Sequence, residues 1–362
     1  MKIAATSNFF HDKPLFGLDI GHGSLKVMQL EAIKNNHRLA RPKVIGYGYM
    51  DFDDSAQSDG VITKPEVIAK AALDLFKHHL VGDITSRRVA IAIPAYRTFS
   101  RSIDLPKLNP RQLKEAIELE AEQYIPVPLE QLYLDYEVIS QSADTTQLFM
   151  VAVPRTIVDS YLELTQILGL ETVLIEPTIS SSGRLFSLDE QSDVPAFVID
   201  FGSVSADISI YDKQLLVAGT VQGGGNSFTD VIKDKLGVST DEAWQIKTRY
   251  GLNASKQQAK IKEALEPVLG QIVKEIKRMI RYYEERYGTD RPITQIITLG
   301  GGANMPGLSD YLTATMRLAV RQLEPWFYLD YKGLQPPAQA DKTMYSTVAG
   351  LSLTNPVEVF ND

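Results

Sequence analysis

The chain reads as an α/β protein built from two related halves, with two sheets and a cleft between them, and three observations carry that reading. Two segments 181 residues apart, half of the 362-residue chain, align without gaps: FGLDIGHGSLKVMQL from Phe16 and FVIDFGSVSADISIY from Phe197. Internal repetition of this kind implies repeated architecture. Short apolar strands then alternate with amphipathic helices through both halves, the signature of layered α/β packing. Finally, a late strand runs into Gly300-Gly301-Gly302 and onward to a helix.

Each repeated segment is an apolar strand ending in Asp-x-Gly, a turn of small residues, and a second strand of period two, which together make a β-hairpin. After the first hairpin, Glu66 to Leu80 has helical spacing through Val67, Ala71, Leu75 and Phe76, and Arg88-Val-Ala-Ile-Ala-Ile-Pro94 is a buried strand closed by proline. Asn109 caps a helix with Pro110 at its first position and Gln112 placed for a capping box, and Pro126 stops it. Tyr133 to Ser140 and Gln147 to Val153 are strands around a polar turn. A helix from Arg155 to Leu168 is ended by Gly169, then come a strand at Val173 to Glu176, a helix at Thr178 to Leu188 and a polar linker, Asp189 to Asp193, where a boundary falls. In the second half, helices are expected at about Ser227 to Leu236, Thr240 to Tyr250 and Ile261 to Tyr287. The last carries Leu265, Leu269, Ile272, Ile276, Ile280 and Tyr283 on one face, which is core patterning. A strand at Pro292 to Leu299 and a helix from Leu308 follow.

Composition removes several classes of function. There are 37 basic and 45 acidic residues, so the formal net charge is −8, and nucleic acid and bare anionic membrane are disfavoured as partners. The absence of cysteine excludes disulfides, thiolate metal sites and a cysteine nucleophile, and fits a reducing compartment. All five histidines, His11, His22, His37, His78 and His79, precede residue 80, so the later chain has no histidine base. The opening MKIAATSNFFHDK lacks the apolar core of a signal peptide and no apolar run reaches the roughly 20 residues of a membrane span, so a soluble, unexported chain is expected.

The two Asp-x-Gly turns have a chemical use. Glycine lets backbone N–H groups approach an anion, and small neighbours keep the turn open, so Gly21, His22, Gly23, Ser24 and Lys26 in one copy, and Gly202, Ser203, Val204 and Ser205 in the other, are candidates to cradle phosphate. A carboxylate beside phosphate needs a divalent cation between them, which makes Asp19, Asp200 and Asp207 candidates for holding Mg²⁺ or its waters. A single Asp-x-Gly turn is also ordinary hairpin chemistry, and His22 suits a plain surface turn. The glycine run at 300–302 serves either close passage of a flat ligand or a tight left-handed turn.

These residues carry a resemblance. Two Asp-x-Gly hairpins, a late strand ending in three glycines and a small-residue C-terminal helix resemble the actin, Hsp70 and sugar-kinase ATPase superfamily. DIGHGSLK from Asp19 is similar to the first phosphate loop of actin, including the lysine seven residues on, and DFGSVSAD from Asp200 to the second phosphate loop of Hsp70. Leu299 to Leu308 resembles the adenosine motif, and Tyr345 to Leu353 the last connecting helix. Ile175-Glu176-Pro177-Thr178 resembles the first connecting segment, which implies a water-orienting, catalytic role for Glu176; a strand-end carboxylate capping the next helix is the other reading. Gly224, Gly225, Gly300, Gly301, Gly302 and Asn304 fall where the superfamily holds the nucleoside. So do Glu242 and Lys247, for which a charged pair on a solvated helix is the alternative.

Within the superfamily the chain resembles the PilM family of type IV pilus assembly, with FtsA as cousin, over nearly its whole length. The opening LFGLDIGHGSLKVMQL, the stretch RTFSRSIDLPKLNPRQLKEAIELEAEQYIPVPLEQLYLDYEV and the segment GGGNSFTDVIKDKLGVSTDEAWQIKTRYG carry this. The implied fold is an actin-like ATPase with a nucleotide cleft and two small inserted subdomains. Residues 1–94 and 174–193 would form subdomain 1A, 95–173 the insertion 1C, 194–226 and 291–340 subdomain 2A, 227–290 subdomain 2B, and 341–362 a C-terminal helix returning to 1A. The chain departs from the family in His22 and Gly23, where relatives carry small hydroxyl residues, and in an acidic C-terminus that, unlike FtsA, has no basic amphipathic helix.

The function implied is an ATP- or ADP- and Mg²⁺-binding adaptor of type IV pilus assembly, or of a related secretion or competence system, and at most a slow ATPase. It would work in the cytoplasm at the inner face of the membrane, touching the membrane only through partners. The implied partner is the N-terminal cytoplasmic tail of a PilN-like protein, held against 1A and 1C, with room for other platform or motor proteins and for a homo-oligomer. Tyr124, Ile125, Leu129, Leu132 and Tyr133, clustered around Pro126 and Pro128, are the candidate peptide contacts; a packed helix–strand junction without ligand is the alternative. The rival functions are a small-molecule kinase, for which no spare aspartate base is evident, and an FtsA-like division filament, which would need the missing membrane helix.

Overall fold

The computed structural model describes residues 14–31 and 41–355; the first 13 residues, including His11, the stretch 32–40 with His37, and the acidic tail 356–362 lie outside the described residues. In chain order the elements are β1 Phe16–Ile20, β2 Ser24–Leu30, β3 Val44–Asp51, β4 Gln57–Ser58, β5 Val61–Ile62, α1 Pro65–His78, β6 Leu80–Gly82, β7 Arg88–Ile93, β8 Phe99–Pro106, α2 Pro110–Tyr124, β9 Leu132–Gln141, β10 Thr145–Pro154, α3 Arg155–Ile167, β11 Glu171–Pro177 and α4 Thr178–Phe186. The second half continues with β12 Ala196–Phe201, β13 Ser205–Asp212, β14 Gln214–Gln222, α5 Gly225–Leu236, α6 Thr240–Arg249, α7 Gln258–Tyr287, β15 Gln295–Leu299, α8 Leu308–Met316, β16 Ala319–Gln322, α9 Pro325–Tyr328 and α10 Ser346–Ser352.

The chain divides into two compact units. One comprises Met1–Pro94, Thr156–Asp189 and Glu324–Asp362; the other comprises Ala95–Arg155 and Glu190–Leu323. The first unit holds a six-stranded sheet ordered β11-β7-β1-β2-β3-β6, and the second a five-stranded sheet ordered β14-β13-β12-β15-β16 together with the three-stranded sheet β8-β10-β9. Within each large sheet the repeated hairpin sits at the centre. Its first strand runs antiparallel to its second and parallel to a later strand, β7 for β1 and β15 for β12. Reading outward from the hairpin, β3 and β14 complete an antiparallel meander while β11 and β16 extend the parallel side. The gapless repeat in the sequence is therefore a repeat of sheet topology.

Strand and helix patterning explain most of the elements. β1, β7, β12 and β15 are buried along their whole length, as expected of central strands covered on both faces. The expected capping box at Asn109 forms, with the Asn109 side chain accepting the Gln112 N–H and the Gln112 side chain accepting the Asn109 N–H. α7 buries Leu265, Leu269, Ile272, Ile276 and Tyr283 in the core of the second unit against Phe197, Phe201, Phe228 and Ile296. It begins three residues before the expected Ile261 and carries Pro267 on its length. Strands β3, β8 and β14 are not apparent in the sequence because their buried residues are interrupted by glycine, serine and charge, and β16 because it is four residues long with none of them buried, so no clean period-two run announces any of the four.

Candidate functional site

In the first unit the register of β1 and β2 sets Asp19 directly across from Lys26. The Lys26 Nζ lies 3.3 Å from Asp19 Oδ2 and 3.3 Å from Ser24 Oγ, with the Lys26 and Asp19 side chains only 9% and 12% exposed. Lys26 is in turn the strand partner of Tyr49 on β3, whose ring centroid lies 6.0 Å from Nζ. The Tyr49 hydroxyl donates to the Asp51 carboxylate, and burial together with that neighbour pushes its pKa up, so the phenol stays protonated. The turn is closed by the Gly21 N–H donating to the Ser24 carbonyl at 2.8 Å and held from outside by the Phe52 N–H donating to the Gly23 carbonyl at 3.0 Å. His22 stands at this turn with Nε2 4.0 Å from Asp54 Oδ2.

The second unit builds the same turn. The Gly202 N–H donates to the Ser205 carbonyl at 2.9 Å, and the Gly223 N–H donates to the Val204 carbonyl at 3.1 Å. Asp200 faces Asp207 across β12 and β13, and Asp207 faces Thr220 on β14, whose hydroxyl donates to it at 2.8 Å. The row Asp19, Lys26, Tyr49 thus corresponds to the row Asp200, Asp207, Thr220. One row contains an ion pair; the other sets two buried carboxylates on neighbouring strands. Adjacent carboxylates disfavour each other's charge, and a divalent cation relieves this, so the donor set of the second unit fits Mg²⁺ better than that of the first. Among the described residues no group of three or more histidine, aspartate or glutamate side chains forms a fully protein-built metal site, which leaves water and ligand oxygens to complete any coordination.

Glycine lets other backbone close in on the second turn. Gly300 has a φ of +84°, and a Cβ there would lie 2.2 Å from Asp200 Oδ1, so only glycine fits between the 300–302 loop and the carboxylate. At Gly224 a Cβ would lie 2.4 Å from the Gly202 carbonyl oxygen. From there α5 starts, its Gly225 and Asn226 N–H groups donating to the Gly202 and Ser203 carbonyls at 2.9 and 2.8 Å. Lys247 on α6 donates to the Gly225 carbonyl at 2.8 Å and to Thr229 Oγ1 at 2.9 Å, and burial lowers its pKa to about 8. Glu242 is held elsewhere, as the third residue of the capping box with Ser239 at the exposed start of α6. Asn304 follows Gly301 and Gly302 in a short 3-10 turn and accepts from Gln322 at 2.8 Å. The second unit therefore gathers Asp200, Asp207, Gly202 to Ser205, Gly224, Gly225, Lys247 and Gly300.

Glu176 ends β11, where both carboxylate oxygens accept from the Arg184 guanidinium at 2.7 Å, and Arg184 also donates to the Gly350 carbonyl at 3.0 Å. This bidentate pair ties β11 to α4 and α10. The sequence does not mark Arg184 as the partner of Glu176, because nothing in it shows that a residue on α4 folds back onto the strand before it. Among the candidate peptide contacts, Ile125 and Leu132 are buried in the core of the inserted sheet and Leu129 packs against it. The outward members are Tyr124, 44% exposed beneath Arg101, and Tyr133, 39% exposed beneath Arg155, with guanidinium-to-ring distances of 4.6 and 4.2 Å.

A family model for the type IV pilus assembly protein PilM matches residues 17–355 of this chain. The chain belongs to the PilM family. The PilM fold is met again in a solved structure described as a PilM–PilN type IV pilus biogenesis complex, at 22% identity and a TM-score of 0.79, covering 96% of this chain and 99% of that one. Two further structures share the fold at lower similarity. Ethanolamine utilization protein EutJ from Carboxydothermus hydrogenoformans matches at 13% identity and a TM-score of 0.53, covering 94% and 89% of the two chains. MreB5 of Spiroplasma citri bound to AMPPNP matches at 12% identity and 0.53, covering 93% and 94%. This PilM family member is thus an actin-like ATPase-fold protein of type IV pilus assembly. Among its described residues no helix is long and apolar enough to cross a membrane.

Proposed function

We propose that the chain is a nucleotide-binding adaptor of the type IV pilus machinery, which binds ATP or ADP with Mg²⁺ and docks the N-terminal cytoplasmic tail of a PilN-like inner-membrane protein. The observation that carries the nucleotide half is the duplicated turn, in which Gly21 with Ser24 and Gly202 with Ser205 make the same hydrogen bond in two units of matching topology. In this reading the backbone of each turn can cradle phosphate within its own unit, and Lys26, exchanging Asp19 for a phosphate oxygen, adds a cation in the first. Asp200 and Asp207 hold Mg²⁺, which when bound neutralises phosphate charge, and Asp19 is the corresponding carboxylate of the first unit. Gly224, Gly225 and the 300–302 loop border the nucleoside, with Lys247 supporting α5 from behind. Glu176, with both oxygens engaged by Arg184, acts as an anchor of the connecting segment, and hydrolysis is slow.

The partner half is supported by family membership and by the likeness to a complex that contains PilN. Attachment to the membrane through that partner, on its cytoplasmic side, follows from the same reading. The direct experiment is native co-purification from cells, with mass analysis of bound nucleotide and of bound proteins. A bound adenine nucleotide together with a PilN-like protein supports the proposal; a chain that carries neither, and captures no PilN-like tail peptide in vitro, refutes it.

A further inference from the structure

We propose that the open edge of β9 is a docking strand for an extended basic peptide, which joins the inserted sheet as a fourth strand. The inference rests on the reading of the insertion as the partner-binding part of the chain. In the sheet β8-β10-β9, β9 pairs with β10 along Leu132–Gln141 and, among the described residues, has no strand on its other side. It is ten residues long, and Tyr133, Tyr136 and Val138 are all exposed on it. A long edge with exposed apolar side chains is a template for adding a strand, and folds that must avoid this shorten the edge or place lysine or proline on it. β9 has neither lysine nor proline.

It carries acid instead. Asp135 and Glu137 flank Tyr136 and are exposed, and among the described residues neither has an ion pair. The residues from Ala95 to Arg155 include six basic and nine acidic side chains, and four of the basic ones are occupied: Arg101 and Arg155 on tyrosine rings, Arg111 with Glu115, and Arg97 on Tyr96. The Tyr136 N–H donates to Asp135 Oδ1 at 2.8 Å, so a donor on the strand is satisfied by its neighbour's side chain. A lysine or arginine on an incoming strand would take that carboxylate and release the N–H to a main-chain carbonyl, while alternate apolar residues cover Tyr136 and Val138.

The same charges argue against a second copy as the occupant. Antiparallel pairing of two β9 strands about Tyr136 would set Asp135 opposite Glu137 twice, and like charges directly opposite destabilise a sheet. A basic peptide turns both positions favourable.

The test uses the full chain and two capped ten-residue synthetic peptides, one alternating lysine with valine and one alternating glutamate with valine. Hydrogen exchange should show the lysine peptide protecting the Tyr136 and Val138 amides, with affinity falling about tenfold or more in Asp135→Lys/Glu137→Lys and in high salt, and the glutamate peptide binding only the double variant. Unchanged exchange on addition of the lysine peptide, equal affinity for the double variant, or protection of β9 by self-association alone would overturn the inference. Retained protection of the α2 amides shows that the double variant is folded. If a PilN-like tail peptide binds wild type and double variant alike, only the β9 assignment falls; if it binds neither, the adaptor reading falls.

Discussion

Asp19 and Lys26 form an ion pair that is almost entirely out of solvent, so each charge depends on the other. Removing one partner from such a pair leaves an uncompensated charge, and Asp19→Asn or Lys26→Met alone should cost about 3 kcal/mol, whereas the double substitution should cost clearly less than the sum. Urea unfolding of the four proteins measures this, and strict additivity would mean that the pair is not coupled. Gly300→Ala should cost about 1–3 kcal/mol, because the methyl must displace Asp200 or the loop while adopting a left-handed φ. Lys247 gives a pH signature. Its folded pKa of about 8 lies below its ordinary 10.5, so between those values the unfolded chain binds the extra proton and stability rises with pH. Below pH 8 the cost of burying the ammonium is present in full. The unfolding free energy of wild type minus that of Lys247→Met should therefore increase from pH 8 to pH 10; a flat difference would show that the amine titrates normally. The spacing of Asp19 to Lys26 and of Asp200 to Asp207 was legible in the sequence because a hairpin fixes cross-strand partners. Tyr49, Thr220 and Arg184 were not, since each reaches its partner from an element whose register the sequence does not state.

At the scale of elements, the helices were the clearest. The stripe on α7 from Leu265 to Tyr283 is buried as its 3.6-residue period requires, and Ile280 at its margin is partly buried. Leu269→Ala should accordingly cost about 2–5 kcal/mol, while Lys277→Ala on the exposed face should stay within about 0.5 kcal/mol. Chemical denaturation distinguishes the two, and a small loss at Leu269 would mean that α7 is not a core helix. The strands at the rim of each sheet were hidden because they mix buried and polar residues. β8 is such a strand: Ser102 points its hydroxyl at the Leu216 carbonyl of β14, so a polar residue occupies a buried position that no alternation rule anticipates. The prolines at 126 and 128 mark a turn, as their lack of an N–H demands, and the apolar residues around them divide between core and surface in a way only packing decides.

For the whole molecule, the 181-residue repeat predicted two matching halves, and the sheets share the order β11-β7-β1-β2-β3 and β16-β15-β12-β13-β14. What the repeat conceals is that the halves have diverged in charge, lysine at 26 standing where aspartate stands at 207. In the proposed function that difference gives phosphate charge balance to the first unit and cation binding to the second, and one measurement tests it directly. Isothermal titration calorimetry of ATP into wild type and Asp200→Ala, each with Mg²⁺ and with EDTA, reads affinity and cation dependence together. Wild type should bind in the micromolar range in Mg²⁺, Asp200→Ala should lose tenfold or more, about 1.4 kcal/mol, and the two proteins should not differ in EDTA. Equal affinity of wild type and Asp200→Ala in Mg²⁺, or no binding by wild type, would contradict the proposed function.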